Sequence, residues 1–390
     1  MLKRTGIEVS LAVAEAVRLA RAEVISAYPI TPQTHIVEEL SHYVANGTLD
    51  AEFIPVESEH SAMSAAIGSC AAGARTYTAT SSQGLALMYE ILFIAPAMRL
   101  PIVMTVANRS LSGPISIWND HSDIMAARDI GWIQLFVEDG QEALELTMAA
   151  FKIAEDHRVL LPIIVNMDGF ILTHMIEPIV FPDQDMVDTF LPEYTPAMRL
   201  DPAKPATWGP VGVPEVYLEA KKQYEQALLD SKPVIKEVLK DVNKTFKRQY
   251  KVVETNGKKN PKTMFVTMGS LGESVYTAVD QLVADGESVG QCRLRLWRPF
   301  PTEEFLAAVK GVKRLIVIDR AISPGCTSAP VAQELKAVLY GRKDAPEIVN
   351  VVAGIGGRDV PIGDFKEMYY LAKARKLDKT YTLWGLDSNA

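Results

Sequence analysis

The sequence predicts an α/β protein of two parallel-sheet, helix-covered domains joined by a Pro-rich and helical linker. Three observations predict it. Short apolar runs alternate with helix-period segments up to about residue 178, proline and charge dominate from there to about 260, and the alternation resumes from 261 to about 375. A chain of 390 residues holds two such cores with ease, since a domain takes roughly 100–200 residues.

Within the first unit, 1–178, the pattern reads helical over 7–20, extended over 24–28, helical over 33–45 and extended over 52–56. Gly47 stops the second helix, because glycine tolerates the left-handed backbone at a helix end. The pattern continues helical over 58–72, extended over 75–80, helical over 83–98, extended over 101–107, helical over 141–155 and extended over 161–167. Strands this apolar, alternating with helices, fit a sheet covered on both faces. Residues 179–260 place Pro182, Pro192, Pro196, Pro202, Pro205, Pro210 and Pro214 ahead of a charged segment, EVYLEAKKQYEQALLDSKPVIKEVLKDVNKTFKRQY, and read as a linker with one or two exposed helices. In the second unit, 261–375, TMFVTMGS, VGQCRLRLW, RLIVID and EIVNVVAG read as extended runs separated by helices. A tail, 376–390, follows.

Composition excludes several functions. A net charge of −8 argues against a nucleic-acid binder, which needs a basic surface to neutralise phosphates. The opening MLKRTGIEVSLAVAEAVRLARAE is broken by Glu8, Glu15, Arg18 and Arg21, and reads neither as a signal peptide nor as a membrane span. Cys70, Cys292 and Cys326 are far apart, without CxxC spacing. They fit a reducing cytoplasm and cannot by themselves hold a structural zinc or an iron–sulfur cluster.

Ligands of parallel sheets bind where strand carboxyl ends meet helix N-termini, so the connections after the early strands are the candidate site. The first is SAYPITPQTHIVEEL, in which Pro29 and Pro32 stiffen the exit and a helix is expected to begin at Pro32. Thr31 either caps that helix or offers its hydroxyl to a ligand. The second is PVESEHSAMSAAIGSCAAGAR: Ser58 and Glu59 mark a helix start, and Glu59 either serves the helix dipole or is a buried carboxylate tuned for proton transfer. The third, ANRSLSGPISIWNDHSDIMAARDIGW, is a long polar loop at a strand end. Its Arg109 could grip a substrate carboxylate or pair with Asp120 or Asp123. The spacing of Asp120, His121 and Asp123 matches no standard metal-ligand set, so loop bracing is expected of them.

Taken in order, YPITPQT, ESEHSAMSAAIGSCAAGARTYTATSSQGLALM, IWNDHSDIMAARDIGWIQ, DGFILTH, VTMGS, RPFP and AGIGGRDV span nearly the whole chain. The set resembles the alpha subunit of the pyruvate:ferredoxin oxidoreductase family, 2-oxoacid oxidoreductases that use thiamine diphosphate. The resemblance implies that 1–178 is a pyrimidine-type thiamine diphosphate-binding domain and 261–375 a transketolase C-terminal-like domain. By position, Thr31 matches the threonine that touches the substrate. Glu59 matches the glutamate that hydrogen-bonds the cofactor's aminopyrimidine, and Arg109 the arginine that binds the substrate carboxylate. Pro29, Ser82 and Gln83 are implied in the cofactor pocket.

The resemblance also implies partners. The family's GDG…N motif for Mg2+ is approached only by Gly363-Asp364-Phe365, and cluster-binding CxxCxxC runs are missing. The diphosphate site, Mg2+ and [4Fe-4S] clusters are therefore expected on partner subunits, beta, gamma and delta, with coenzyme A as co-substrate and ferredoxin as electron acceptor. Pyruvate is the expected 2-oxoacid, because small polar Thr31 suits it better than a substrate with a second carboxylate. The alternatives are another 2-oxoacid (branched-chain, aromatic, 2-oxoglutarate or oxalate) or a non-catalytic scaffold subunit.

Overall fold

Apolar runs too short for helices build the centre of the molecule. A computed structural model describes residues 4–387, so the ends of the expected first domain (1–3) and of the tail (388–390) lie outside the described residues. In chain order the first region comprises β1 (Arg4–Glu8), α1 (Val9–Leu19), β2 (Val24–Ala27), α2 (Thr34–Ala45), β3 (Glu52–Pro55), α3 (Glu59–Ala71), β4 (Thr76–Thr80), α4 (Ser82–Leu92) and α5 (Ile94–Ala97). It continues through β5 (Val103–Asn108), α6 (Ser122–Ala126), β6 (Ile133–Phe136), α7 (Gly140–Glu155), β7 (Ile163–Asp168), β8 (Ile176–Val180) and α8 (Gln184–Phe190). There follow α9 (Pro214–Phe246), β9 (Val253–Gly257), β10 (Thr263–Thr267), α10 (Leu271–Ala284), β11 (Val289–Leu294), β12 (Leu296–Arg298) and α11 (Thr302–Ala308). Last come β13 (Arg314–Asp319), α12 (Pro330–Leu339), β14 (Glu347–Val352), α13 (Ile362–Lys373) and β15 (Thr382–Leu383).

The first sheet has seven strands in the order β12-β6-β7-β5-β4-β2-β3, all parallel except β12. Every residue of β4, β5, β6 and β7 is buried, as helices on both faces require. The second sheet has six strands in the order β15-β14-β13-β10-β11-β9, with β9 antiparallel at its edge. A parallel sheet has its ligand crevice where strand order reverses. That point lies between β2 and β4 in the first sheet and between β10 and β13 in the second.

Three departures from the sequence pattern have physical causes. Ile7 and Glu8 are not helical: the strand Arg4–Glu8 pairs antiparallel with β8, and the helix starts at Val9. VGQCRLRLW is not one strand. It runs as β11 in the second sheet, then crosses as β12 to pair with β6 of the first, so a buried segment stitches the two sheets together. The segment 179–260 is only partly a linker, since Val253–Gly257 is the edge strand of the second sheet.

The 33-residue α9 is also not simply exposed. From its middle onward it buries Leu228, Val234, Ile235, Val238, Leu239 and Val242, a stripe at helical spacing, and it meets α7. Each such aliphatic side chain contributes roughly 1.5–3 kcal/mol when buried. The charged residues that suggested a solvated helix occupy the other face.

A buried ion cluster reinforces the seam between the sheets. Glu142, in the first turn of α7, takes both Arg293 and Arg295 of the second domain, Arg295 Nη2 lying 2.5 Å away. Burial alone would raise the Glu142 carboxyl, but the two guanidiniums hold it down to about 2.

Candidate active site

The crevice of the first sheet is bordered by three connections, those after β2, β3 and β4. After β2, the turn through Tyr28 and Pro29 brings Thr31 to the surface, and the Thr31–Pro32 peptide is cis. The helix begins two residues later than expected, at Thr34 with Gln33 at its cap position, so Thr31 caps nothing. Among the described residues its hydroxyl makes no hydrogen bond, while its carbonyl accepts one from Arg109 Nη1 at 3.0 Å. Gln33 instead spans the crevice, its amide donating to the carbonyls of Tyr28 at 2.9 Å and Ala79 at 3.4 Å.

After β3, Ser58 caps α3, its Oγ accepting from the Ser61 amide at 3.2 Å. Glu59 is thereby fixed as the first residue of the helix, where the dipole favours a negative charge. It is 7 % exposed, and no hydrogen bond or ion pair within the described residues satisfies its carboxylate. Its side chain lies against Gly84 of α4: a Cβ there would sit 2.7 Å from Glu59 Oε1 and would also strike Thr80 Oγ1.

After β4, Ser82 opens α4 with φ of +44°, a left-handed conformation rare for a residue with a side chain. It is held from two sides. Its amide donates to Asp123 Oδ2 at 3.1 Å and its hydroxyl to the Ser110 carbonyl at 2.6 Å. The neighbouring Gln83 donates to Ser112 Oγ at 2.5 Å. The first turn of α4 is thus locked onto the loop that carries Arg109.

Arg109 ends β5. Its guanidinium pairs with neither Asp120 nor Asp123; Nε donates to the Ser116 carbonyl at 2.7 Å, and Nη1 to Thr31. Burial lowers its pKa. With two carbonyls as its fork's partners, the cation keeps its full charge for an anion. Asp123 takes the Arg109 amide at 3.0 Å on the same oxygen that takes Ser82, so one carboxylate fixes two connections. Burial pushes Asp123 up to about 7.

The other polar residues of the loop brace it. Asp120 accepts from Ser110 Oγ at 2.6 Å, and His121 Nε2 meets Asp168 Oδ1 at 2.8 Å. Among the described residues, no group of three His, Cys, Asp or Glu is placed to hold a metal ion. Nor is any helix long and apolar enough to cross a membrane.

Several features of the crevice were not singled out by sequence reasoning. Ser26, Thr78, Thr80 and Ser81 have buried hydroxyls without partners, and Gln33 Oε1 is likewise unpaired. They lie on β2, β4 and the turns that follow. Glu59 is a polar neighbour of this group, since a Cβ on Gly84 would strike both Glu59 Oε1 and Thr80 Oγ1. The TYTATSS run, with a hydroxyl at six of its seven positions, was the signal.

Comparison with known proteins gives the family of the chain. Residues 15–240 match the model of the pyruvate flavodoxin/ferredoxin oxidoreductase thiamine diphosphate-binding domain, and residues 262–365 that of pyruvate:ferredoxin oxidoreductase core domain II. The chain is 50 % identical to the pyruvate synthase subunit PorA of Methanocaldococcus jannaschii, over 96 % of this chain and 95 % of that one. It is 41 % identical to the ketoisovalerate oxidoreductase subunit VorA of Pyrococcus horikoshii, over 92 % of each. Among solved structures it resembles the 2-oxoglutarate:ferredoxin oxidoreductase of Magnetococcus marinus, with a TM-score of 0.72 at 21 % identity, over 95 % of this chain and 65 % of that one, which is a likeness of fold. The chain belongs to the pyruvate:ferredoxin oxidoreductase family, with the thiamine diphosphate-binding domain and core domain II in sequence.

Proposed function

We propose that this chain is the alpha subunit of a thiamine diphosphate-dependent enzyme that oxidatively decarboxylates pyruvate, passing electrons to ferredoxin and the acyl group to coenzyme A. The overall change is balanced: pyruvate and the thiol give acetyl-CoA, CO2, one proton and two electrons, which leave through iron–sulfur clusters. One observation carries the reading: Glu59 and Arg109, neither in an ion pair among the described residues, are joined through the first turn of α4, Glu59 by its contact with Gly84 and Arg109 by the Asp123 carboxylate that also holds Ser82. The 50 % identity to a pyruvate synthase subunit, against 41 % to a ketoisovalerate enzyme subunit, favours pyruvate over a branched-chain 2-oxoacid.

Thiamine diphosphate supplies a nucleophilic carbon that adds to the 2-oxo group and holds the electron pair left by CO2. The residues of this chain do the rest. Glu59 holds a proton at the ring nitrogen of the aminopyrimidine, keeping the amino group of that ring competent as a base. Ser82, Gln83 and Pro29 wall the ring. Arg109 anchors the substrate carboxylate and Thr31 offers its free hydroxyl to the 2-oxo oxygen.

The chain offers no cluster cysteines, since Cys70 and Cys292 are buried and single and Cys326 is exposed. The diphosphate, Mg2+ and [4Fe-4S] clusters fall to partner subunits, beta, gamma and delta. Elements flanking the crevice carry exposed Tyr28, Leu87, Ile115, Ile117 and Trp118, a surface suited to one of them. Free cysteines accord with a cytoplasmic location.

The test is coenzyme A-dependent reduction of a low-potential dye by the complex, purified without oxygen, on pyruvate, 2-oxoisovalerate, phenylglyoxylate, 2-oxoglutarate and oxalate. The reading expects pyruvate to give the highest kcat/KM. Another winner would correct the substrate, and silence with all five would overturn the chemistry.

A further inference from the structure

The carboxyl edge of the second sheet closes on the loop that carries Arg109. Ser270, after β10, and Arg320, after β13, flank the point where strand order reverses in that sheet, and both grip Asp168 from the end of β7. The Ser270 amide donates to Asp168 Oδ2 at 2.8 Å, Arg320 Nη1 donates at 2.8 Å, and Gly269 comes so close that a Cβ there would lie 2.8 Å from the carboxylate. Asp168 and Arg320 are almost fully buried.

From this anchor the contacts pass to the loop itself. Asn119 Nδ2 reaches both Asp168 Oδ1, at 3.3 Å, and the Asn108 carbonyl, at 2.9 Å. The His121 amide donates to the Arg320 carbonyl at 2.8 Å. The glycine turn after β14 completes the seat: the Gly357 amide donates to the Asn119 carbonyl at 2.6 Å, and the Gly356 amide to Asp120 Oδ2 at 3.2 Å. Trp118 rests on this turn. A Cβ on Gly357 would lie 2.7 Å from Trp118 Cβ, and the Trp118 carbonyl in turn takes the Ser110 amide, next to Arg109. Ser116, whose carbonyl holds Arg109 Nε, is two residues away.

We propose that the second domain is part of the substrate-binding apparatus: Arg320 and the glycine turn 354–357 form a seat that sets the Arg109 loop, acting as positioning elements for the guanidinium. This goes beyond the family assignment and rests on Arg109 being the group that binds the 2-oxoacid carboxylate.

Two adjacent glycines provide the test. Gly356 and Gly357 both have left-handed backbones, with φ of +60° and +74°, so alanine at either meets the same conformational penalty. Only at Gly357 does it also strike Trp118; at Gly356 the nearest atom is Ser116 Oγ, 4.0 Å away. In the assembled complex, Gly357→Ala is expected to raise the KM for the 2-oxoacid about tenfold, with kcat within about threefold and the KM for coenzyme A unchanged. Gly356→Ala, which keeps its amide on Asp120 and meets no side chain closer than 4.0 Å, should raise the KM for the 2-oxoacid by no more than about threefold. Hydrogen exchange gives a readout independent of turnover: the amides of Ser110 and His121 should exchange at least about tenfold faster in Gly357→Ala alone. Should Gly357→Ala fail to assemble, Arg320→Lys, which keeps a charge beside Asp168 but shortens the arm under Gly354, should show the same KM split.

An unchanged KM in an assembled Gly357→Ala or Arg320→Lys complex overturns the proposal. So does an equal KM rise in both glycine variants, or faster loop exchange with no change in KM. Failure of the functional reading looks different: Arg109→Lys would then leave the KM for the 2-oxoacid unaltered, whatever the glycine variants do.

Discussion

In the first sheet strand order reverses between β2 and β4; in the second it reverses between β10 and β13. Around the first crevice Thr80 Oγ1, Ser81 Oγ and Gln33 Oε1 are buried without hydrogen-bond partners among the described residues, and Glu59 makes no ion pair there. Around the second, the corresponding place is filled by the Asp168 carboxylate, which takes hydrogen bonds from Ser270, Arg320, Asn119 and His121. Burial alone would raise the pKa of Asp168, yet Arg320 and His121 hold it far below the ordinary carboxylate range. The difference teaches that topology supplies a crevice and side-chain bookkeeping decides its use. The first rim keeps its hydroxyls unpaired among the described residues, whereas the second is drawn into an interface through one carboxylate, with only Arg320 Nε and Asn119 Oδ1 of its contact groups left unpaired.

The sharpest way to break this comparison is to neutralise one carboxylate at each place. Glu59→Gln is expected to lower turnover by about 10²–10⁴-fold, the size of a lost acid–base role, while changing stability by less than about 1 kcal/mol. Asp168→Ala should do the reverse in kind, costing about 3–5 kcal/mol in denaturant unfolding because it strands the buried Arg320 charge. A stability loss at Glu59 as large as that at Asp168 would erase the distinction.

A pH series sharpens the same contrast at the ion cluster. Glu142 is held at about 2 in the folded chain, below the roughly 4.3 of an unfolded glutamate. Its contribution is therefore fully present above the unfolded value and is lost as pH falls from there through 2. Melting curves between pH 5 and 2 should show this slope in the wild type and a shallower one in Glu142→Gln, and equal slopes would contradict it. The smallest expected effect is at the helix cap. Ser58→Ala should cost about 1 kcal/mol, and by loosening the first turn of α3 should weaken cofactor binding more than substrate binding.

The fold class was legible because buried parallel strands are nearly continuous apolar runs, and VMTVAN and IIVNMD need no other context. The strand Ile133–Phe136 was missed, for IQLF is short and follows a polar loop. The strand at Leu296–Arg298 was merged with its predecessor, since no local signal tells a run of alternating residues that it will change sheets. The buried face of α9 was hidden by lysines and glutamates on its other side. At the site, Thr31, Glu59 and Arg109 could be picked out as residues of apt chemistry at strand ends. Their dependence on Asp123, Gly84 and the distant turn 354–357 could not, because these are close approaches between segments far apart in sequence.

The central claim is that Glu59 completes a cofactor site in the first crevice. Its most direct test is the rate at which the C2 proton of thiamine diphosphate exchanges with solvent deuterium in the assembled complex, followed by NMR after acid quench. Activation through Glu59 predicts fast exchange in the wild type and a fall of about 10²–10⁴-fold in Glu59→Gln at unchanged cofactor occupancy. Equal exchange rates in the two proteins, with the cofactor bound in both, would contradict it.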